Sequence, residues 1–144
     1  MTDTVQAMQA ALAAEHAVIW GYGVLGAWVG ADLRGQARDA DAAHRARRDA
    51  TAAAVRRLGT DPEPPRGSYQ LPFRVTDRGA ALRLAVRLED GSAAAWRYVV
   101  ASTGDRGLRR TAVTALTDAA VRGAGWRRLV TPATPTVPFP GQTS

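Results

Sequence analysis

The sequence predicts an all-α protein: an up-down four-helix bundle with a long crossover between helices two and three and an extended Pro-rich tail. Three observations carry this. Apolar residues recur in alternating steps of four and three along several long segments, as one face of a helix requires. A proline-rich stretch interrupts the chain near its middle. Neither Ser68 to Val75 nor Leu129 to Val137 alternates cleanly over enough residues to make a sheet.

The first helix is expected from about Thr4 to Gly30, with Thr4 as N-cap and a stripe through Met8, Leu12, Glu15, Ile19, Tyr22, Gly26 and Val29. The second is expected from about Asp32 to Leu58 and stops at Gly59, a C-terminal glycine cap. Its stripe reads Ala37, Asp41, His44, Arg48, Thr51, Val55 and Leu58. Thr60 to Val75 holds Pro62, Pro64, Pro65, Gly67 and Pro72 and cannot be regular helix, so Tyr69, Leu71 and Phe73 are expected to anchor it. The third helix starts after Thr76, with Asp77 favourable in its first turn, and runs to about Ser102 along Leu82, Val86, Glu89, Ala93, Trp96 and Val100. The turn from Gly104 to Gly107 leads into a fourth, from about Leu108 to Arg128. Two organisational units follow: a bundle over 1–130, with 60–75 as its crossover, and a tail over 131–144 containing Pro132, Pro135, Pro138 and Pro140.

Loop lengths constrain the topology. The short links within each half make two antiparallel hairpins. The connector spans up to roughly 50 Å at about 3.3 Å per residue, more than the roughly 38 Å of a 25-residue helix. It can therefore bring helix three back parallel to helix two, the one-crossover arrangement of ferritin-like bundles.

With 144 residues, a single domain buries a real core without disulfides. No cysteine is present, which excludes disulfide scaffolds, zinc fingers and cysteine catalysis. All 19 basic residues are arginine, and lysine and asparagine are absent. With so much alanine and glycine this is the codon habit of a GC-rich genome, so the net charge of +6 does not by itself imply a nucleic-acid partner. The start carries no basic n-region, and the uncharged run from Ala17 to Ala31 is too short for a membrane span. The expectation is a cytoplasmic protein without membrane association.

The chemistry lies in charged residues where leucines would be normal. A charge on an apolar seam costs several kcal/mol, roughly the scale of ion burial, unless something compensates it. Glu15, Glu89 and the pair Asp41-Ala-Ala-His44 match the lone carboxylates and the acid-x-x-His spacing of a dimetal site in a bundle core, where carboxylate and imidazole share a face one turn apart. The matching place in helix four is Asp118-Ala-Ala-Val121, without its histidine. Asp118 lies on a stripe with Leu108, Thr111, Ala115 and Arg122, weaker than one through Val113, Leu116 and Ala120.

Two functional readings follow. In the first, Glu15, Asp41, His44, Glu89 and Asp118 form a degenerate dimetal site, held by ion pairs with Arg48 and Arg122 on the same seams. In the alternative, these residues hold iron or manganese in a carboxylate-bridged oxidoreductase or ferroxidase-like enzyme. Whether the protein is an enzyme stays open between them.

The segments AALAAEHAVIWGYGVLGAWV, AHRARRDATAA, LPFRVTD, LRLAVRLEDGSAAAWR, LTDAAVRGAGWR and PFPG cover nearly the whole chain. Together they resemble a ferritin-like domain family of unknown function from GC-rich bacteria. The resemblance implies the ferritin-like four-helix fold and no established activity. Glu15, His44, Glu89 and Asp118 fall within the matching segments. Ferritin-like bundles often pair through helices one and two, so a homodimer is expected by analogy.

Other signals weigh less. Gly21 to Gly26 is a literal G-x-G-x-x-G, but the strong helix formers before it and the missing βαβ units argue against a dinucleotide site. Arg45, Arg47 and Arg48, the pair Arg56 and Arg57, Arg109 and Arg110, and Arg127 and Arg128 raise a nucleic-acid-coating protein as a further alternative, though no aromatic-interleaved stripe accompanies them. His16 points about 100° away from Glu15 on a helix and so cannot face the same centre squarely. Trp20, Trp28, Trp96 and Trp126 are expected as core or dimer anchors.

Overall fold

A computed structural model describes residues 2–142; residues 1, 143 and 144, at the ends of the predicted bundle and tail, lie outside the described residues. The chain forms four helices: α1 (Thr2–Leu25), α2 (Arg34–Arg57), α3 (Arg78–Ser102) and α4 (Arg106–Val130). No strand occurs among the described residues.

The boundaries follow local chemistry. Asp77 is the N-cap of α3, its carboxylate accepting from Ala80 N at 2.7 Å. Asp105 caps α4 in the same way, accepting from Leu108 N at 2.8 Å. Each cap satisfies an amide that the first helical turn leaves free. Gly59, just past α2, takes the left-handed backbone at φ 87°, which costs glycine little. Thr4 is not an N-cap, because α1 begins before it; its hydroxyl is buried and donates to Ser102 O at 3.4 Å.

Two apolar clusters build the core. One gathers Ala7 and Met8 from the start of α1, Val55 from the end of α2, Trp96 and Val99 from the second half of α3, and Ala112 from the start of α4. The other gathers Tyr22 and Leu25 from the end of α1, Ala37 and Ala40 from the start of α2, Leu84 from α3 and Trp126 from the end of α4. Glu15, His44 and Glu89 lie between them along the helices.

The connector runs beside α1. Gln9 holds it through both amide atoms: Nε2 donates to Asp61 O at 2.7 Å and Oε1 accepts from Glu63 N at 2.8 Å. Further on, the Tyr69 ring meets Trp20, and Leu71, Phe73 and Val75 pack against the second cluster. Arg78 then donates to Val29 O at 2.6 Å and to Asp32, tying the start of α3 to the α1–α2 link. Beyond α4, Arg127 donates to Pro135 O at 3.3 Å, and Gly141 sits against the backbone of Ala93 in α3.

Candidate functional site

All four helices contribute to one buried polar cluster. Glu15 comes from α1, His44 from α2, Glu89 with Ser92 and Trp96 from α3, and Arg122 from α4. Glu15, His44 and Glu89 are each at most 1% exposed.

His44 sits between the two carboxylates. Its Nδ1 lies 2.6 Å from Glu15 Oε2, and its Nε2 engages both oxygens of Glu89, with Oε2 at 3.1 Å. Carboxylate oxygens accept, so both ring nitrogens must donate and the imidazole carries a charge. Burial alone would pull the His44 pKa down, but the hydrogen bonds and charges of Glu15 and Glu89 outweigh it and raise the group to about 9. Burial pushes Glu15 up, yet His44, Trp96 and Ser92 together hold it below its ordinary value.

The remaining acceptor sites are filled. Glu15 Oε1 accepts from Ser92 Oγ at 3.0 Å and from Trp96 Nε1 at 2.9 Å. Arg122 Nε donates to both oxygens of Glu89, at 3.0 and 3.2 Å, and its partly exposed guanidinium covers the cluster from the α4 side. Two carboxylates and two cations therefore cancel, as a buried charge cluster requires. Tyr22 packs its ring 5.7 Å from His44 and accepts from Trp126 Nε1 at 2.9 Å. Burial first, and then the negative charge of Glu89, hold the Tyr22 pKa well above its ordinary value.

The other candidate residues lie elsewhere. The buried face of α2 runs through Ala37, Ala40, His44, Thr51 and Ala54, so Asp41 is turned one position off it. Asp41 Oδ2 accepts from Arg45 at 2.9 Å, while Oδ1 is buried without a hydrogen-bond partner. The buried face of α4 is Ala112, Ala115, Ala119, Gly123 and Trp126, which leaves Asp118 at the rim, paired with Arg47 at 3.2 Å. Arg48 pairs with neighbouring Asp49 at 2.9 Å rather than with the central carboxylates. His16 Nε2 donates to Glu63 O at 2.9 Å and so serves the connector. Gly21 and Gly23 lie inside α1 with no strand before them, which removes the context that a dinucleotide fingerprint needs.

This arrangement does not suit a bound metal. A histidine that donates through both nitrogens offers no lone pair, and Arg122 occupies the open side of Glu89. Among the described residues no group of three or more His, Cys, Asp or Glu is disposed to hold a metal ion. The donor set built from Glu15, Asp41, His44, Glu89 and Asp118 is not brought together, because Asp41 pairs with Arg45 and Asp118 with Arg47. Ser92 and Trp96 complete the Glu15 shell, and as hydrogen-bond donors they leave no periodic charge signal in the sequence.

Comparison with known proteins places the chain. Residues 7–144 match the family described as a domain of unknown function, DUF4439. The chain belongs to this family. A crystal structure of a conserved hypothetical protein, rv2844, from Mycobacterium tuberculosis is similar to this DUF4439 domain, with 38% identity and a TM-score of 0.87. The match covers 89% of this chain and 97% of that one. No curated protein matches the chain. Among the described residues no helix is long and apolar enough to cross a membrane.

Proposed function

We propose that this DUF4439 domain is a ferritin-like bundle whose ancestral dimetal position has become a metal-free ion-pair cluster. It is a non-catalytic cytoplasmic homodimer that works through its surface. The observation that carries this reading is the double donation of His44 to Glu15 and Glu89, with Arg122 beside it. In a working dimetal centre the imidazole would be neutral and would give a nitrogen lone pair to the ion. Here the charge that a metal would supply comes from imidazolium and guanidinium groups.

Metal analysis of protein purified without chelators tests the reading. Iron and manganese are expected well below one per chain, with no rise in melting temperature when either ion is added. Stoichiometric metal that disappears in Glu89→Ala would overturn it in favour of a carboxylate-bridged oxidoreductase. Sedimentation of the purified protein tests the homodimer separately.

A further inference from the structure

A second site lies on a face of α1 next to the one that carries Glu15. α1, α2 and the connector line an open cleft of about 410 Å³. Arg45 and Arg48 enter it from one face of α2, three residues apart, and Arg66 enters from the connector. Trp20 and Tyr69 form an aromatic wall, with ring centroids 6.1 Å apart. The lining contains no carboxylate.

Three details point to a ligand. Arg45 and Arg48 meet Asp41 and Asp49 through Nε, so these pairs do not use the terminal guanidinium nitrogens that best suit a planar or tetrahedral anion. The aromatic wall is fixed on its connector side: the Tyr69 hydroxyl accepts from Arg66 N at 2.9 Å. Gly23 lies on the cleft within α1, and a Cβ built there would meet nothing within 4 Å. Gly23 sits in the last turn of α1, and packing does not call for a glycine there. Gly21 differs, because a Cβ there would come within 2.6 Å of Leu88. The missing side chain at position 23 leaves the floor of the cleft open.

We propose that this cleft binds a small aromatic organic anion, with a phosphate-type head on Arg45, Arg48 and Arg66 and a flat body against Trp20 and Tyr69. The volume falls within the range of small-molecule sites, and arginine combines charge-assisted hydrogen bonding with stacking on aromatic rings. The site is independent of the buried cluster, so its failure leaves the metal-free reading untouched.

Calorimetric titration with 1-naphthyl phosphate tests it. One probe per chain is expected, with inorganic phosphate and 1-naphthol each binding more weakly than the intact probe. Arg48→Ala and Arg66→Ala should each weaken binding by about tenfold, the effect of losing one charge-assisted contact. Gly23→Leu, which fills the cleft with a better helix former, should abolish binding while the protein stays folded by circular dichroism. The proposal is overturned if the probe does not bind, if naphthol binds as tightly, or if the arginine and Gly23→Leu variants bind like the parent. It is also overturned if probe binding weakens as protein concentration rises, which would assign the cleft to a second copy of the chain.

Discussion

Arg122 reaches Glu89 with its Nε 3.0 Å from Oε1, and through this contact α4 supplies a positive charge to the buried cluster. The guanidinium is permanently charged, so Glu89 keeps a partner at any pH the fold survives. His44 has no such permanence, and the pH response of the protein should follow from it.

His44 is held at about 9 against an ordinary 6.5. A value raised by folding contributes stability that is fully present below the unfolded value and is lost as pH rises through the folded one. The loss should amount to about 3 kcal/mol, at about 1.4 kcal/mol per pKa unit. Glu15 is shifted the other way from 4.5, so its contribution is present above that value and fades as pH falls through its lowered one. Urea unfolding should show a plateau between pH 4.5 and 6.5 and a fall through pH 9. A flat profile from 6.5 upward would contradict the charged imidazole.

Glu89→Ala should cost about 3–5 kcal/mol, because it strands His44 and the largely covered Arg122 without their shared acceptor. Asp118→Ala, at a rim pair that water reaches, should cost less than about 1 kcal/mol. Chemical denaturation of the two variants side by side checks this, and equal losses would mean that the central carboxylate has no special place.

Trp96→Phe removes one donor from Glu15 while keeping an aromatic ring in the core. The lost bond to a charged acceptor should cost about 1.5–3 kcal/mol. It should also let the Glu15 pKa rise, since Trp96 helps to hold it down. The Glu15 carboxyl followed by NMR should therefore titrate at a higher pH than in the parent protein, a shift that simple loss of packing would not produce.

Gly141→Ala should loosen the C-terminal segment. Gly141 has φ 81°, and a Cβ there would lie 2.7 Å from the Ala93 carbonyl oxygen. The backbone penalty is about 1–2 kcal/mol, and a carbonyl cannot yield as a flexible side chain can. Limited proteolysis between Val130 and Gly141 should accelerate, with little change in the melting of the helices. An unchanged cleavage rate would mean that the Gly141 contact does not hold the segment.

Glu15 and Glu89 could be read as one centre because each interrupts an otherwise apolar stripe, and His44 joined them through its acid-x-x-His spacing; burial of a lone charge is too costly to be casual. Asp41 misled because α2 is rich in alanine. Its buried face uses Ala37, Ala40 and Ala54, and alanine contrasts too little with its neighbours to fix the phase of a helix within one residue. The same holds for α4, where Ala112, Ala115, Ala119 and Gly123 face inward while Val113 and Val121 are exposed. Small inward residues let α4 pack closely against α3, and apolarity alone pointed to the wrong side. The seam position of Arg122 pointed to an ion pair with the central acids, and it meets Glu89, whereas Arg48, named on the same ground, turns to its neighbour Asp49.

The bonds to Glu15 come from residues 29, 77 and 81 positions further along the chain. An α1–α2 hairpin by itself would hold Glu15 against His44 without Ser92 or Trp96, and an α3–α4 hairpin would hold Glu89 against Arg122 without the imidazole. Each half lacks part of the other's polar shell, so folding should be cooperative across the whole bundle. A chain severed within the 60–75 connector would yield two fragments that order only on each other, with a melting temperature that depends on their concentration.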